Sequence, residues 1–329
     1  MKSILMTAVC SMALTASAFA ADVTLRASHQ WPGGKGDVRD EMVQMIGKDV
    51  EAANVGLKLQ VFPGESLFKA KDQWGAVTKG QVDITAFPLD YASGRHPSFS
   101  ATLMPGLVGN HDRAKRLNDS AFMKDIKAEI DKAGAMVLSD AWLAGGFVSS
   151  TECVTTPDSA KGQTLRAAGP AFEEMLVGAG ASISSMPSSE IYTGMQQNVL
   201  TGANTSSGSL VSYRIYEVSK CLTAPGENAL WFMYEPILMS KRSFEKLDKA
   251  QQDALLAAGK KAEDYFAEEA PKLDQELIDV YKKAGVEVTT MSKENYDAWL
   301  DIAKKTSYKN FSEKVPNGKK LIDEALAVE

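Results

Sequence analysis

The side chains able to do chemistry in this sequence are few and poorly spaced for most reactions. Its three histidines, His29, His96 and His111, do not stand at metal-ligand intervals from Cys, Asp or Glu, and neither H-E-x-x-H nor C-x-x-C occurs, so no metal site is expected. G-x-S-x-G, G-x-x-x-x-G-K and G-x-G-x-x-G are also missing. That removes the common signatures of serine hydrolysis, phosphate cradling and dinucleotide binding, and no cofactor is expected. Glu65, Asp72 and Asp90 could meet as a carboxylate pair after folding, as glycoside hydrolysis requires, but nothing in the sequence sets any two at catalytic separation. No catalytic residue is assigned. Of the three cysteines, Cys10 lies in the first twenty residues, which leaves Cys153 and Cys221. In an oxidising compartment they are expected to pair, with two buried free thiols as the alternative. A bridge closing a loop of about 70 residues is worth roughly 4 kcal/mol on the chain-entropy model.

That compartment is indicated by the first residues. Met1-Lys2-Ser3 precedes an apolar run from Ile4 to Ala16, and Ala18-Phe19-Ala20 follows it, the order of a cleaved secretory leader over residues 1–20. The run is about 13 residues, short of the roughly 20 a spanning helix needs, and no later stretch is longer. The exported protein is expected in the periplasm and not itself membrane-spanning. Thr7-Ala8-Val9 ahead of Cys10 lacks the leucine and the length of apolar run that lipid attachment there requires. Formal charge is −6, with no Lys/Arg block interleaved with aromatics, so nucleic acid is not an expected partner.

The elements that must position any site alternate. Val38, Met42, Ile46 and Val50 recur at helical spacing, Leu57, Leu59 and Val61 alternate as a strand, a short helix covers 72–78, and 82–87 reads as a strand. With a strand from Val23 this is the rhythm of an α/β domain on a mainly parallel sheet. A helix over 112–132 leads to an apolar strand over 135–143, and a smaller alternation follows: strand 164–168, helix 171–177, a strand at Ile183, helices 189–197 and 210–219. The apolar-aromatic stretch 228–240 reads as a returning strand, followed by a very long helix to Lys283 that Pro271 is expected to kink, a strand over 286–290, and helices over 292–303 and 319–327. A chain of this length exceeds one core, so two α/β domains are expected. They are residues 21–143 with 235–329, and residues 144–234, joined by crossing strands around a cleft where a small ligand would sit.

Three segments carry a family resemblance. Pro63-Gly64-Glu65-Ser66-Leu67 leads on to Gly80-Gln81-Val82-Asp83-Ile84; Pro157-Asp158-Ser159-Ala160-Lys161-Gly162-Gln163-Thr164-Leu165-Arg166 comes second; and Ser189-Glu190-Ile191-Tyr192-Thr193-Gly194-Met195-Gln196-Gln197-Asn198 through Asn204 is third. Their order and spacing resemble the DctP-type solute receptors of TRAP transporters over nearly the whole chain beyond the leader. The resemblance implies a periplasmic binding protein that captures a small organic acid without transforming it, hands it to the membrane subunits of a TRAP transporter, and folds as two α/β domains with a long kinked helix across both.

The resemblance implies that Arg166 clamps the ligand carboxylate, a role suited to a permanently charged planar fork; the alternative is an arginine paired with an acidic side chain. Two departures from the family pattern bear on the ligand. Asn204 and Thr205 stand where relatives have Glu and Asn, and Ala144-Gly145-Gly146 stands where many have a second arginine. One fixed positive charge favours a monocarboxylate, and Trp31, Phe87, Tyr91, Trp142 and Trp231 near strand ends suit a flat or apolar ligand body. Glu65 is a further candidate contact, whereas Trp74 and Trp299 read as core and Lys35, Lys69 and Lys71 as solvated. Two other functions stay open on sequence: a periplasmic hydrolase using Glu65 and Asp90, and a sensory module presenting a ligand.

Overall fold

The computed structural model describes residues 23–329; the leader and Cys10 lie outside the described residues. The chain begins with β1 (Val23–Ser28), α1 (Val38–Ala52), β2 (Leu57–Phe62), α2 (Gln73–Thr78) and β3 (Ile84–Ala86). Helix α1 forms where its apolar residues share one face: Val38, Met42, Val43, Ile46 and Val50 are all buried, and the Asp37 carboxylate accepts the Arg39 N–H as N-cap. β1 pairs parallel with both β2 and β3. The helix expected over 112–132 is two, α3 (His111–Leu117) and α4 (Ala121–Lys132), because the Ser120 hydroxyl caps the Met123 N–H and restarts the helix.

Both apolar runs read as single crossing strands are divided between two sheets. The first gives β4 (Ala135–Ser139) and β5 (Trp142–Ser149), separated at Asp140, whose carboxylate is turned aside to Lys127 and Tyr234. The second gives β10 (Trp231–Tyr234) and β11 (Ile237–Ser240), separated at Glu235-Pro236, where proline has no N–H for a ladder. The intervening chain supplies α5 (Pro157–Ala160), β6 (Thr164–Ala167), α6 (Pro170–Gly178), β7 (Ser182–Ser185), α7 (Ile191–Gln196), β8 (Gly202–Ser206), α8 (Ser207–Ser212) and β9 (Cys221–Ala224). The first sheet runs β2-β1-β3-β11-β4. β10 lies antiparallel on β5, Trp231 opposite Gly145 and Tyr234 opposite Trp142, so the two crossings run side by side. Gly145 and Gly146 are required by this packing: a Cβ on either would meet the carbonyl of Thr205 or Thr223 at 2.0 or 2.3 Å.

After α9 (Lys241–Phe244) comes α10 (Lys249–Lys283), 35 residues that continue through Pro271 and start from a capping box between Asp248 and Gln251. Its buried stripe, Leu255 and Phe266 to Leu277 and Tyr281, packs on α1 and β4 at one end and on α8 and β9 at the other. β12 (Glu287–Thr290) then pairs with β9, completing a second sheet in the order β12-β9-β5-β8-β6-β7. Residues 235–329, assigned by sequence to the first domain, therefore serve both: the far end of α10 delivers β12 to the second sheet, α11 (Lys293–Ala303) packs on α6, and, beyond α12 (Lys309–Lys314), α13 (Gly318–Leu326) packs on α4. Cys153 and Cys221 form a disulfide that ties the loop after β5 to the start of β9.

Candidate ligand cleft

β6 places Arg166 between β7 and β8, at the face where the second domain meets the first. The side chain is 1 % exposed. Nε donates to the Met186 carbonyl (2.9 Å), Nη1 to the Asn204 carbonyl (2.7 Å) and Nη2 to Tyr91 Oη of the first domain (3.0 Å). These acceptors are all neutral, and no carboxylate among the described residues lies within ion-pair distance of this guanidinium. Two of its five N–H donors remain uncommitted. A buried cation without a carboxylate in contact is costly, and an anion placed at the two free donors would lower that cost.

The residues around it form one linked set. Tyr91 Oη also accepts the Ser188 backbone N–H (2.9 Å); Ser188 Oγ donates to Gln30 Oε1 (3.3 Å), and Tyr213 Oη donates to the Gln30 carbonyl (2.9 Å). Asn204 Nδ2 returns to the Arg166 carbonyl (3.0 Å), which fixes the amide and leaves Asn204 Oδ1 buried without a partner; Gln30 Nε2 is in the same condition. The cluster thus offers donors at Arg166 and Gln30 and one acceptor at Asn204. Gln30, Ser188 and Tyr213 were not singled out from sequence, since polar residues between elements carry no signal of their own.

A second buried arginine has the opposite electrostatics. Arg39, 1 % exposed, makes a bidentate pair with Asp37 (2.9 and 2.7 Å) and bonds Glu235 Oε2 (2.8 Å), Ser206 Oγ (2.9 Å) and Ser209 Oγ (3.1 Å), while its guanidinium lies 4.1 Å over the Trp31 ring. Burial pushes the Asp37 carboxyl up, but the charge and hydrogen bonds of Arg39 outweigh it and hold Asp37 below the usual carboxylate range. Burial also pushes Glu235 up, and Arg39 offsets only part of that. Arg39 is therefore neutralised by two carboxylates and has no charge to spare for a ligand. Asp90, beside Tyr91, is 2 % exposed; Ser93 Oγ donates to its Oδ1 (2.9 Å) and Oδ2 has no partner. Burial pushes its carboxyl up to about 7, with Ser93 and Arg166 opposing and Glu173 adding to the shift.

The other sequence candidates separate. Glu65 stands at φ 61° and accepts from the Ala70 N–H and from Ser189 Oγ, both at 3.1 Å, so it links the two domains beside the cluster. Trp31 and Trp231 are fully buried with their indole N–H groups unpartnered. Phe87 packs in the first-domain core between Trp74 (6.0 Å) and Tyr91 (6.1 Å), behind Tyr91. Trp142, expected at the ligand, has spent its indole N–H on Asn118 Oδ1 (2.8 Å) and packs on Tyr234 with the rings tilted and their centroids 4.8 Å apart. It faces a different groove, of about 450 Å³, with His111 and Pro271. The reason is register: β5 begins at Trp142, before the strand reaches the second domain. Asp72 is exposed, and His29, His96 and His111 each face a single carboxylate, Asp40, Glu129 and Asp274.

Residues 28–314 match the model of the bacterial extracellular solute-binding proteins of family 7, DctP. A solute-binding protein of Albidiferax ferrireducens is 38 % identical over 309 residues, 93 % of this chain and 91 % of the relative. The 2,3-diketo-L-gulonate-binding periplasmic protein YiaO of Escherichia coli is 28 % identical over 71 % of each chain. Among solved structures, a TRAP periplasmic solute binding protein from Rhodoferax ferrireducens with bound malonate superposes with a TM-score of 0.89 at 38 % identity, covering 92 % of this chain and 96 % of that one. A Bordetella pertussis extracytoplasmic solute receptor binding pyroglutamic acid shares the fold, with a TM-score of 0.83 at 20 % identity over 92 % of this chain and 99 % of its own. The two-domain α/β architecture and the three sequence segments agree with these matches, and the chain belongs to the DctP family of bacterial extracellular solute-binding proteins.

Proposed function

We propose that this protein is the periplasmic receptor of a TRAP transporter, that it captures a small carboxylate between its two domains, and that it releases the solute unchanged to the membrane subunits. The observation that carries this reading is the buried Arg166 guanidinium with only neutral partners. An anion supplies the missing countercharge and uses the two free N–H donors as a bidentate pair. Arg39 is already paired with two carboxylates, Asp37 and Glu235, so a single carboxylate at Arg166 is the primary anchor. Asn204, Tyr91 and Gln30 complete the polar wall, Trp31 and Trp231 supply apolar surface, and Glu65 lies at the edge. Phe87 and Trp142 support neighbouring residues instead of touching the solute. Export depends on residues 1–20.

The relative bound to malonate sets the first probes. The purified protein is melted with malonate, succinate, L-pyroglutamate and galacturonate, and each compound is recovered and identified afterwards. A raised melting temperature with unchanged ligand, absent in Arg166→Ala, supports capture. Turnover of any compound, or stabilisation that survives Arg166→Ala, overturns the reading.

A further inference from the structure

α6 is preceded by Gly169, which sits at the N-cap position in extended backbone and has no side chain to accept the helix's first N–H groups. A Cβ built on Gly169 would lie 1.7 Å from Asp90 Oδ2. The carboxyl group of a first-domain residue therefore occupies the space of the missing capping side chain of a second-domain helix. It is buried there, with that oxygen unpartnered by any standard hydrogen bond. The same small group adjoins the proposed anion site, since Tyr91 follows it in sequence and bonds Arg166.

We infer that Asp90 is a positioning residue for ligand capture, seated in the N-cap space of α6 when the domains close, and that closure on an anionic solute takes up a proton at this carboxyl group. The inference rests on the proposed capture of a carboxylate at Arg166. The charged groups facing Asp90 are Arg166 on β6 and Glu173 on α6. Arg166 and the positive end of α6 favour the ionised carboxylate, whereas enclosure and Glu173 favour the neutral acid, and enclosure is the largest influence. An arriving solute anion neutralises Arg166 and adds a like charge nearby, so it removes the main opposition to protonation. Domain separation returns Asp90 to water and to an ordinary carboxylate value near 4. Protonation and solute binding then strengthen each other by the same factor.

The sign follows from the closed-state value, about 7, lying above the open-state one. Affinity is greatest below pH 4, falls by up to about tenfold per unit as pH rises from there to 7, and levels off above. L-pyroglutamate is a suitable probe because its one carboxyl stays ionised over most of that window. Its dissociation constant is expected to climb with pH in the wild type and to stay flat in Asp90→Asn. A pH profile unchanged by the substitution overturns the proton link. Gly169→Ala puts a methyl group where Asp90 Oδ2 sits without straining the extended backbone, and is expected to weaken the probe at least tenfold; Asp90→Ala in the same chain restores it. Wild-type affinity in Gly169→Ala overturns the docking. In saturating L-pyroglutamate, the melting temperatures of wild type and Asp90→Asn are expected to separate progressively from pH 4 to 7 in favour of the variant, and parallel curves reject the burial of Asp90 in the closed state. If no carboxylate binds with Arg166 intact, the functional reading fails; a carboxylate that binds through Arg166 with wild-type affinity in Gly169→Ala, or with a pH profile unmoved by Asp90→Asn, overturns this inference alone.

Discussion

Tyr91 Oη accepts a hydrogen bond from Arg166 Nη2 at 3.0 Å, joining the first domain to the second through a buried guanidinium that lacks a carboxylate partner. The phenol thus holds the cation in place without neutralising it. A tyrosine at this position keeps the charge available to a solute, where an aspartate would have consumed it.

Arg166→Ala removes the charge and the clamp together. Carboxylate affinity should fall by about 2–5 kcal/mol, the range for truncating one member of a buried charge pair, as isothermal titration measures. Ligand-free stability should fall by less than in Arg39→Met, since the guanidinium loses three hydrogen bonds to neutral acceptors but no ion pair.

Arg39→Met should do the reverse. It leaves Asp37 and Glu235 buried without their countercharge, a loss of about 3–5 kcal/mol in chemical denaturation. Equal destabilisation by Arg166→Ala and Arg39→Met would show that the two arginines share one structural role.

Tyr91→Phe keeps the ring against Phe87 and removes the shared acceptor of Arg166 and the Ser188 N–H. Two donors lose a partner at about 1 kcal/mol each, so affinity should drop by roughly tenfold or more while the melting temperature moves by only a few degrees.

Asp37 predicts an acid dependence. Its folded carboxyl lies below the unfolded value of about 3.9, so its pairing with Arg39 contributes fully above that value and is lost as pH falls through the lower folded one. In Arg39→Met this contribution disappears, and acid unfolding should begin at higher pH, as circular dichroism would record.

Replacing Cys153 and Cys221 by serine opens a loop with a sequence separation of 68, which should cost roughly 4 kcal/mol on the chain-entropy model. Carboxylate affinity at a permissive temperature should survive, because the bridge joins the loop after β5 to β9, whereas the hydrogen-bond partners of Arg166 are Met186, Asn204 and Tyr91.

Periodicity made α1, β2, α2 and the long α10 legible, because each has one apolar face and a recognisable cap or stop. β8 escaped because Gly-Ala-Asn-Thr-Ser has neither alternation nor bulk; it is buried between β5 and β6, and a polar strand of small residues carries no periodic signal. The single-strand reading of 135–143 and 228–240 failed for a related reason. Hydrophobicity continues through both runs, but they change sheets midway, and only Asp140 and Pro236 mark the break. At the site, Arg166, Asn204 and Tyr91 are brought together from β6, β8 and the segment after β3. Arg39 was not legible, because an arginine in the first turn of an amphipathic helix looks solvated until Glu235 and Ser206 arrive from about 200 and 170 residues away.

α10 packs on α1 and β4 near its start and on α8 and β9 near its end as one uninterrupted helix. A continuous helix seated on both domains must bend or slide on one support if the two rotate, and Pro271, which has no N–H for the helix ladder, is where bending would concentrate. Its outward face, with Lys260 and Lys272 in the solvent, would carry the state of a sealed interior site to the outside of the molecule as a change of curvature.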